Sequence, residues 1–389
     1  MTRMLRREWA AVALSAACAL LAGTAVASGG AGTTTAREVA SPSPAGLSPP
    51  DPASNPPVTA APQVLPETPA PQGSKGVAVT NGTTEVRSAA DASAQVLFRL
   101  RQGVLLPVSG RSGGFLSVLS PCQAKGWVAQ GQVTLHAPAT TAKPRSLQDA
   151  TIVIDPGHGG SARGAVGRAG TSEEDVNLAL ARRLDELLGA PRDIDKRTGA
   201  VVAGKSHGVP RVFMTRQSDH DAQLGYRTEI ANSLRAHALL SVHSNAAPEI
   251  SSEKPGTEAY YQRRSPESKR LAGLANEEVV RSLTPLRAQW KAMRDAGAKW
   301  RTSARGQDYY AILRRSGVPA VILEVMFISN PPEETLLGQP EVQDSVAAAM
   351  YRALARYAST GDPGSGFVTP NPRTSAPDSG PGPKCVEPA

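Results

Sequence analysis

The sequence predicts an α/β domain with a mostly parallel open sheet, covered by helices on both faces and preceded by a small all-β barrel. Three observations carry that expectation. Between residues 146 and 357, apolar runs of strand length alternate with helix-length segments whose apolar residues share one face. Between 75 and 136, short β-type runs are separated at close intervals by glycines. Outside both lie stretches of Pro, Ala, Ser and Thr with no hydrophobic period, which cannot bury enough surface to offset their ordering entropy.

Taken in order, the chain opens on Arg3, Arg6 and Arg7, an apolar run at 9–21 and the cleavage-type triplet Ala25-Val26-Ala27. Residues 1–27 read as a secretory signal peptide. An uncleaved anchor is the alternative, because 9–27 is nearly long enough to span a bilayer. The Arg6-Arg7 pair permits twin-arginine export. Cys18 makes a poor lipidation site, because the apolar run before it is short. Residues 28–74 follow as a proline-rich linker of extended character. The barrel occupies 75–137, with strand-like runs at 77–79, 86–87, 96–98, 104–108, 115–119 and 127–128. A second linker covers 138–147.

The α/β domain, 148–358, reads as strands at 151–155, 212–215, 238–243 and 318–325 and helices at 176–188, 227–235, 267–283 and 341–357. A Pro/Gly-rich tail at 359–389 reads as unstructured. Net charge is +8, which suits an anionic partner: nucleic acid, a membrane surface or an anionic wall polymer. Aromatics are only 4%, and no stretch interleaves them with basic residues, so nucleic acid is set aside. With the leader removed, Cys122 and Cys385 remain. A disulfide between them is allowed in an oxidising compartment, but the tail's composition favours two unpaired thiols.

Ligands of open α/β sheets bind at the carboxyl ends of the strands. "TIVIDPGH" ends near His158, "ALLSVHSN" delivers His243, and "VPAVILEV" carries Glu324. Glu173 and Glu174 stand just before an amphipathic helix. Two neutral imidazoles with one carboxylate form a common ligand set for a catalytic zinc ion. A second carboxylate can then move the proton of an attacking water. His158, His243, one of Glu173 and Glu174, and Glu324 supply that stoichiometry. Each also has a structural reading. His158 fits a Gly-rich turn, and His243 fits a satisfied sheet-edge histidine. Thr171-x-x-Glu174 reads as a capping box. Glu324, inside an apolar strand, needs a partner.

Other patterns fail on context. Residues 199–206 match the P-loop expression, but no strand-loop-helix surrounds them. Residues 110–114 match the serine-hydrolase elbow with no following helix. No His-Glu-x-x-His occurs.

Together, "IVIDPGHGG", "EEDVNLALARRL", "LLSVHSNAA" and "PAVILEVMFISNPPEE" resemble the zinc-dependent N-acetylmuramoyl-L-alanine amidases over about residues 148–357. Residues 75–137 resemble a bacterial Src-homology-3-like domain, which in that family often binds cell-wall material. The resemblance implies zinc ligands at His158, Glu173 and His243 and a catalytic glutamate at Glu324. Asn177-Leu178 fixes the register that selects Glu173 and leaves Glu174 to cap the helix. It implies peptidoglycan as the substrate, cleaved between N-acetylmuramic acid and L-alanine.

Two segments depart from the family's pattern. Residues 189–210 lengthen one connection, and 281–305, with Trp290 and Trp300, read as an inserted helical segment. Such an insertion leaves room for a regulatory protein partner. Asp155 reads as a group that orients His158 from behind. The alternatives are a non-catalytic wall-binding protein, or another peptidoglycan hydrolase: a peptidase, or a glycosidase pairing Glu324 with Asp155 or Glu173.

Overall fold

The computed structural model describes residues 75–204, 208–247, 256–287, 296–370 and 384–389. The expected signal peptide and proline-rich linker lie outside the described residues, as does 371–383 of the tail. All described residues belong to one compact unit, Ala61–Ala389.

The first part is all-β: β1 (Val77–Thr80), β2 (Thr84–Arg87), β3 (Val96–Leu100), β4 (Leu105–Ser112), β5 (Phe115–Leu119), β6 (Lys125–Ala129) and β7 (Val133–His136). They form a seven-stranded antiparallel sheet in the order β3-β2-β6-β5-β4-β1-β7. β4 is long enough to serve two neighbours. Its start pairs with β1 and its end with β5, and the register shifts between Val108 and Gly110. Ala78, Val86, Leu106, Leu116 and Val128 share one buried core. The order runs open from β3 to β7, so a closed barrel is not what these pairings draw.

The α/β part follows as β8 (Thr151–Pro156), α1 (Glu173–Leu188), β9 (Arg192–Ile194), β10 (Val201–Ala203), β11 (Arg211–Met214), α2 (Leu224–Leu234), β12 (Ala238–Asn245) and β13 (Glu258–Tyr261). It continues through α3 (Pro266–Arg287), β14 (Gly297–Lys299), α4 (Ala311–Arg315), β15 (Ala320–Phe327), α5 (Pro331–Leu337) and α6 (Pro340–Ser359). Six strands form one sheet in the order β11-β8-β12-β15-β13-β14, parallel except where β13 meets β15.

The central strands are apolar on both faces, as a sheet covered on both sides requires. Alternation sorts their side chains. Ile152, Ile154, Leu240, Val242, Leu323 and Val325 enter one core with α1, α3 and α6. Val153, Leu239 and Ile322 enter the other, with Ile230 of α2 and Ile312 of α4. Val77 and Leu105 of the all-β part join this second core, and the Tyr226 hydroxyl donates to the Leu105 carbonyl at 2.8 Å.

Three expectations need correction, and the lengthened 189–210 connection gains a structure. The segment at 281–305 is not a helical insertion over its described residues. Its start prolongs α3, because Val279 and Leu283 keep the helix face buried, and Gly297–Lys299 is a strand paired with β13. The 189–210 connection carries a β9/β10 hairpin. The tail is not without structure at either described end. Ala298 donates to the Gly366 carbonyl and Val368 to the Ala298 carbonyl, so 366–368 run along β14 as an added edge. Last, Cys122 and Cys385 form a disulfide, because hydrogen bonds carry 384–388 back onto the all-β part.

Candidate active site

β8 ends on Asp155-Pro156, and the chain turns at once. His158 has φ +61°, a left-handed backbone that a non-glycine residue adopts at a cost of about 1–3 kcal/mol. The turn is over-determined. Gly157 donates to the Val242 carbonyl (2.9 Å), and Gly159 donates to the Ala162 carbonyl (2.9 Å). Two buried arginines take the remaining carbonyls. Arg216 donates to Pro156, Gly157 and Glu174 (3.0, 2.9 and 2.8 Å), and Arg227 donates to Pro156 and His158 (both 2.7 Å). Burial pulls the Arg216 guanidinium down to about 10.

The glycines are needed for close approach. A Cβ on Gly157 would stand 2.3 Å from the His243 ring, and one on Gly164 would stand 2.5 Å from a Glu173 oxygen.

Three side chains from three elements meet there. His158 Nε2 lies 3.2 Å and His243 Nδ1 lies 3.1 Å from the same atom, Glu173 Oε1. One donor atom from each lies within 4.8 Å of the others. Asn177 and the Ser244 amide donate to Glu173 Oε1 (3.4 and 3.3 Å), and the Ala165 amide donates to Oε2 (2.9 Å). Burial opposes ionisation of Glu173, but the hydrogen bonds from the two histidines outweigh it and hold the carboxyl well below its usual range. Burial likewise pulls His243 down, partly offset by Glu173, which favours the neutral imidazole a metal needs.

Glu324 faces His243 in register, on β15 beside β12. Its Oε2 is buried with no hydrogen-bond partner among the described residues. Burial, then the charges of Glu173 and Glu258, pushes this carboxyl well up, with Arg301 opposing weakly. Glu258 pairs with Glu324 across β13, but its own oxygens are filled by Lys299 Nζ (2.6 Å), Asn245 Nδ2 (2.8 Å) and the Tyr260 hydroxyl. His158, His243 and Glu324 line one cavity of about 500 Å³, with Leu224, Tyr310 and Ile312 among its apolar walls.

Glu174 does not close the expected capping box. The helix begins after Ser172 with no side-chain cap. The Glu173 and Glu174 amides donate instead to the Ala165 and Arg163 carbonyls, and the Glu174 carboxylate meets Arg163 at 2.9 Å. Asp155 does not touch His158. Thr215, Arg227 and Ser241 occupy it at 2.5, 2.7 and 2.6 Å. Its influence on His158 passes through Arg227, which holds the His158 carbonyl. Sequence reading missed Arg216, Arg227 and Glu258 as parts of the site. The available signal was an arginine directly after a core strand, in "VFMTR".

An α/β domain that brings two imidazoles and two carboxylates to one sheet edge has the donor set of a metal-assisted hydrolase. The chain belongs to the N-acetylmuramoyl-L-alanine amidase family, whose model matches residues 152–356. It is 31% identical over 240 residues to the germination-specific N-acetylmuramoyl-L-alanine amidase of Bacillus subtilis, covering 57% of this chain and 86% of that one. It is 28% identical over 281 residues to LytH of Staphylococcus epidermidis, described as a probable cell wall amidase, covering 71% of this chain and 82% of that one. The amidase structure from Clostridium difficile 630 is 26% identical, covers 55% of this chain and 98% of its own, and superposes with a TM-score of 0.44. No helix among the described residues is long and apolar enough to cross a membrane.

Proposed function

We propose that this protein is a secreted, zinc-dependent peptidoglycan amidase that cleaves between N-acetylmuramic acid and the L-alanine of the stem peptide. The observation that carries the reading is the convergence of His158, Glu173 and His243 beside the half-buried Glu324, whose Oε2 is buried and unused. The donor set fits zinc: two imidazoles and one carboxylate. A zinc ion bound there supplies a Lewis acid for the amide oxygen and a more acidic water.

The protein's own groups do the rest. His158, Glu173 and His243 would hold that ion, and the glycines let the strand ends close in. Glu324 sits where burial and neighbouring charge raise its proton affinity. It takes a proton from the attacking water and returns it to the alanine nitrogen as the C–N bond breaks. The apolar walls exclude bulk water from this exchange. We assign the leader, residues 1–27, to export. The all-β part, which resembles a Src-homology-3-like domain, is read as the wall-binding element, and anionic wall polymers suit the basic chain. The LytH match supports this arrangement by covering more of the chain than the amidase region alone.

Mass spectrometry of digested peptidoglycan, beside a Glu324→Ala control and a zinc assay, tests the reading. Lactyl-ended glycans and free stem peptides beginning with L-alanine are expected. New reducing sugars, or breaks inside the stem, would replace it with a glycosidase or a peptidase.

A further inference from the structure

One wall of the catalytic cavity comes from outside the amidase-family match. Lys384 and Cys385 line the same cavity as His158, His243 and Glu324, although they follow the matched region, which ends at 356. The segment they belong to has little apolar surface to bury, and Val386 is 72% exposed. It is held by directed bonds instead. The Lys384 carbonyl accepts from Ser161 Oγ, in the loop that follows His158. The Val386 amide donates to Asp221 Oδ2 (2.9 Å), and Asp221 Oδ1 receives the Ser161 amide (2.9 Å) and hydroxyl (2.6 Å). Glu387 accepts from Ser120 Oγ, and the Pro388 carbonyl accepts from the Arg101 amide (3.0 Å). The disulfide from Cys385 to Cys122 closes the attachment across 263 residues. One short segment thus ties the loop after His158, the approach to α2 and the all-β part together at the cavity.

Charge gives the wall a chemistry. Lys384 and Arg227 are the lysine and the arginine among the cavity-lining residues. Arg227 is buried and committed to Asp155 and to the Ala222, Pro156 and His158 carbonyls. Lys384 is exposed, and among the described residues no hydrogen bond or ion pair uses its ammonium. A stem peptide carries carboxylates one or more residues beyond the scissile L-alanine amide.

We infer that residues 384–388 form a subsite for the stem peptide, in which Lys384 receives a stem carboxylate and the Cys122–Cys385 disulfide holds the wall in place. The inference rests on the amidase reading. It makes the C-terminal end of the chain a determinant of substrate preference, positioned by a bond to the all-β part.

The test uses the full chain and two synthetic substrates: N-acetylmuramoyl-L-alanyl-D-glutamate and the same compound with its carboxylates amidated. Release of the new amine is followed for wild type, Lys384→Glu and the Cys122→Ser/Cys385→Ser double variant. Lys384→Glu should raise KM for the acidic substrate about tenfold, the scale of one charge-assisted hydrogen bond. It should leave KM for the amidated substrate within about twofold and move kcat less than KM. The double variant should raise KM for both substrates, because the wall itself is released. Equal effects of Lys384→Glu on both substrates, or unchanged KM in both variants, would overturn the subsite. So would a KM that falls in the double variant, which would make the segment an obstruction. Failure of wild type to release the amine from either substrate would instead sink the amidase reading.

Discussion

Two carboxylates flank β12, and they have opposite surroundings. On the β8 side, Asp155 stands in register with Ser241, and its oxygens receive Ser241, Thr215 and the Arg227 guanidinium. On the β15 side, Glu324 stands in register with His243, and one of its oxygens is buried with no partner. Burial raises both groups' proton affinity. For Asp155 the Arg227 charge and the hydrogen bonds reverse the shift, and its pKa falls below 3.8. For Glu324 the charges of Glu173 and Glu258 add to it. A saturated carboxylate is a joint of the fold. An unsaturated one beside a metal-type cluster is what the proposed proton transfer requires, left open at a cost to stability.

The largest expected effect tests the open side. Glu324→Gln should lower kcat by about 10²–10⁴-fold, the usual worth of a positioned acid–base group. Its melting temperature should stay at or above wild type, since a carboxylate with a buried, unpaired oxygen is removed. Activity within tenfold of wild type would erase the distinction drawn between the two carboxylates.

The closed side should respond in the opposite way. Asp155→Ala leaves Arg227 buried without its partner and should cost about 3–5 kcal/mol, or roughly 10 °C in melting temperature. The pH dependence follows from the sign of the shift. A carboxyl with a depressed folded pKa contributes stability above the usual 3.8 and loses it as pH falls through the folded value. Asp155→Asn should therefore remove part of the acid-side loss of stability, read as denaturant midpoints at neutral and acid pH. An unchanged acid limb would mean that Arg227 does not depend on this charge.

The open side was more legible in the sequence than the closed one, and the reason is physical. His158, His243 and Glu324 each interrupt an apolar run or follow it directly, so strand periodicity alone delivers them to one edge. Glu173 needed the register of Asn177 and Leu178. The closed side depends on Arg216 and Arg227, which serve backbone carbonyls on a turn about 60 to 70 residues away, and no local period records such a pairing. The strands β13 and β14 were missed for a related reason. β13 carries Glu258 within an aromatic run, and β14 is three residues long, so neither has enough alternation to stand out. The disulfide was undervalued because tail composition says nothing about six residues held by hydrogen bonds.

Smaller effects probe how the open side is assembled. Gly157→Ala places a Cβ 2.3 Å from the His243 ring, whereas a Cβ at Gly131 would meet nothing within 4 Å. Gly157→Ala should cost about 1–3 kcal/mol by overpacking and should lower bound zinc and activity further than its stability loss explains. Gly131→Ala should do neither. Equal behaviour of the two, by zinc assay and calorimetry, would show that the turn can yield without moving the ligands.

The smallest effect separates strain from chemistry at one residue. His158 holds φ +61°, and glycine adopts that region without penalty. His158→Gly and His158→Ala should both lose zinc and activity, since both delete the imidazole. The alanine variant keeps the backbone cost and the glycine variant releases it, so glycine should be the more stable of the two by about 1 kcal/mol. Calorimetry on the pair reads that difference with the imidazole absent from both. If alanine is the more stable, the left-handed turn is set by Arg227 on the His158 carbonyl at no local cost, and the site is less strained than the backbone implies.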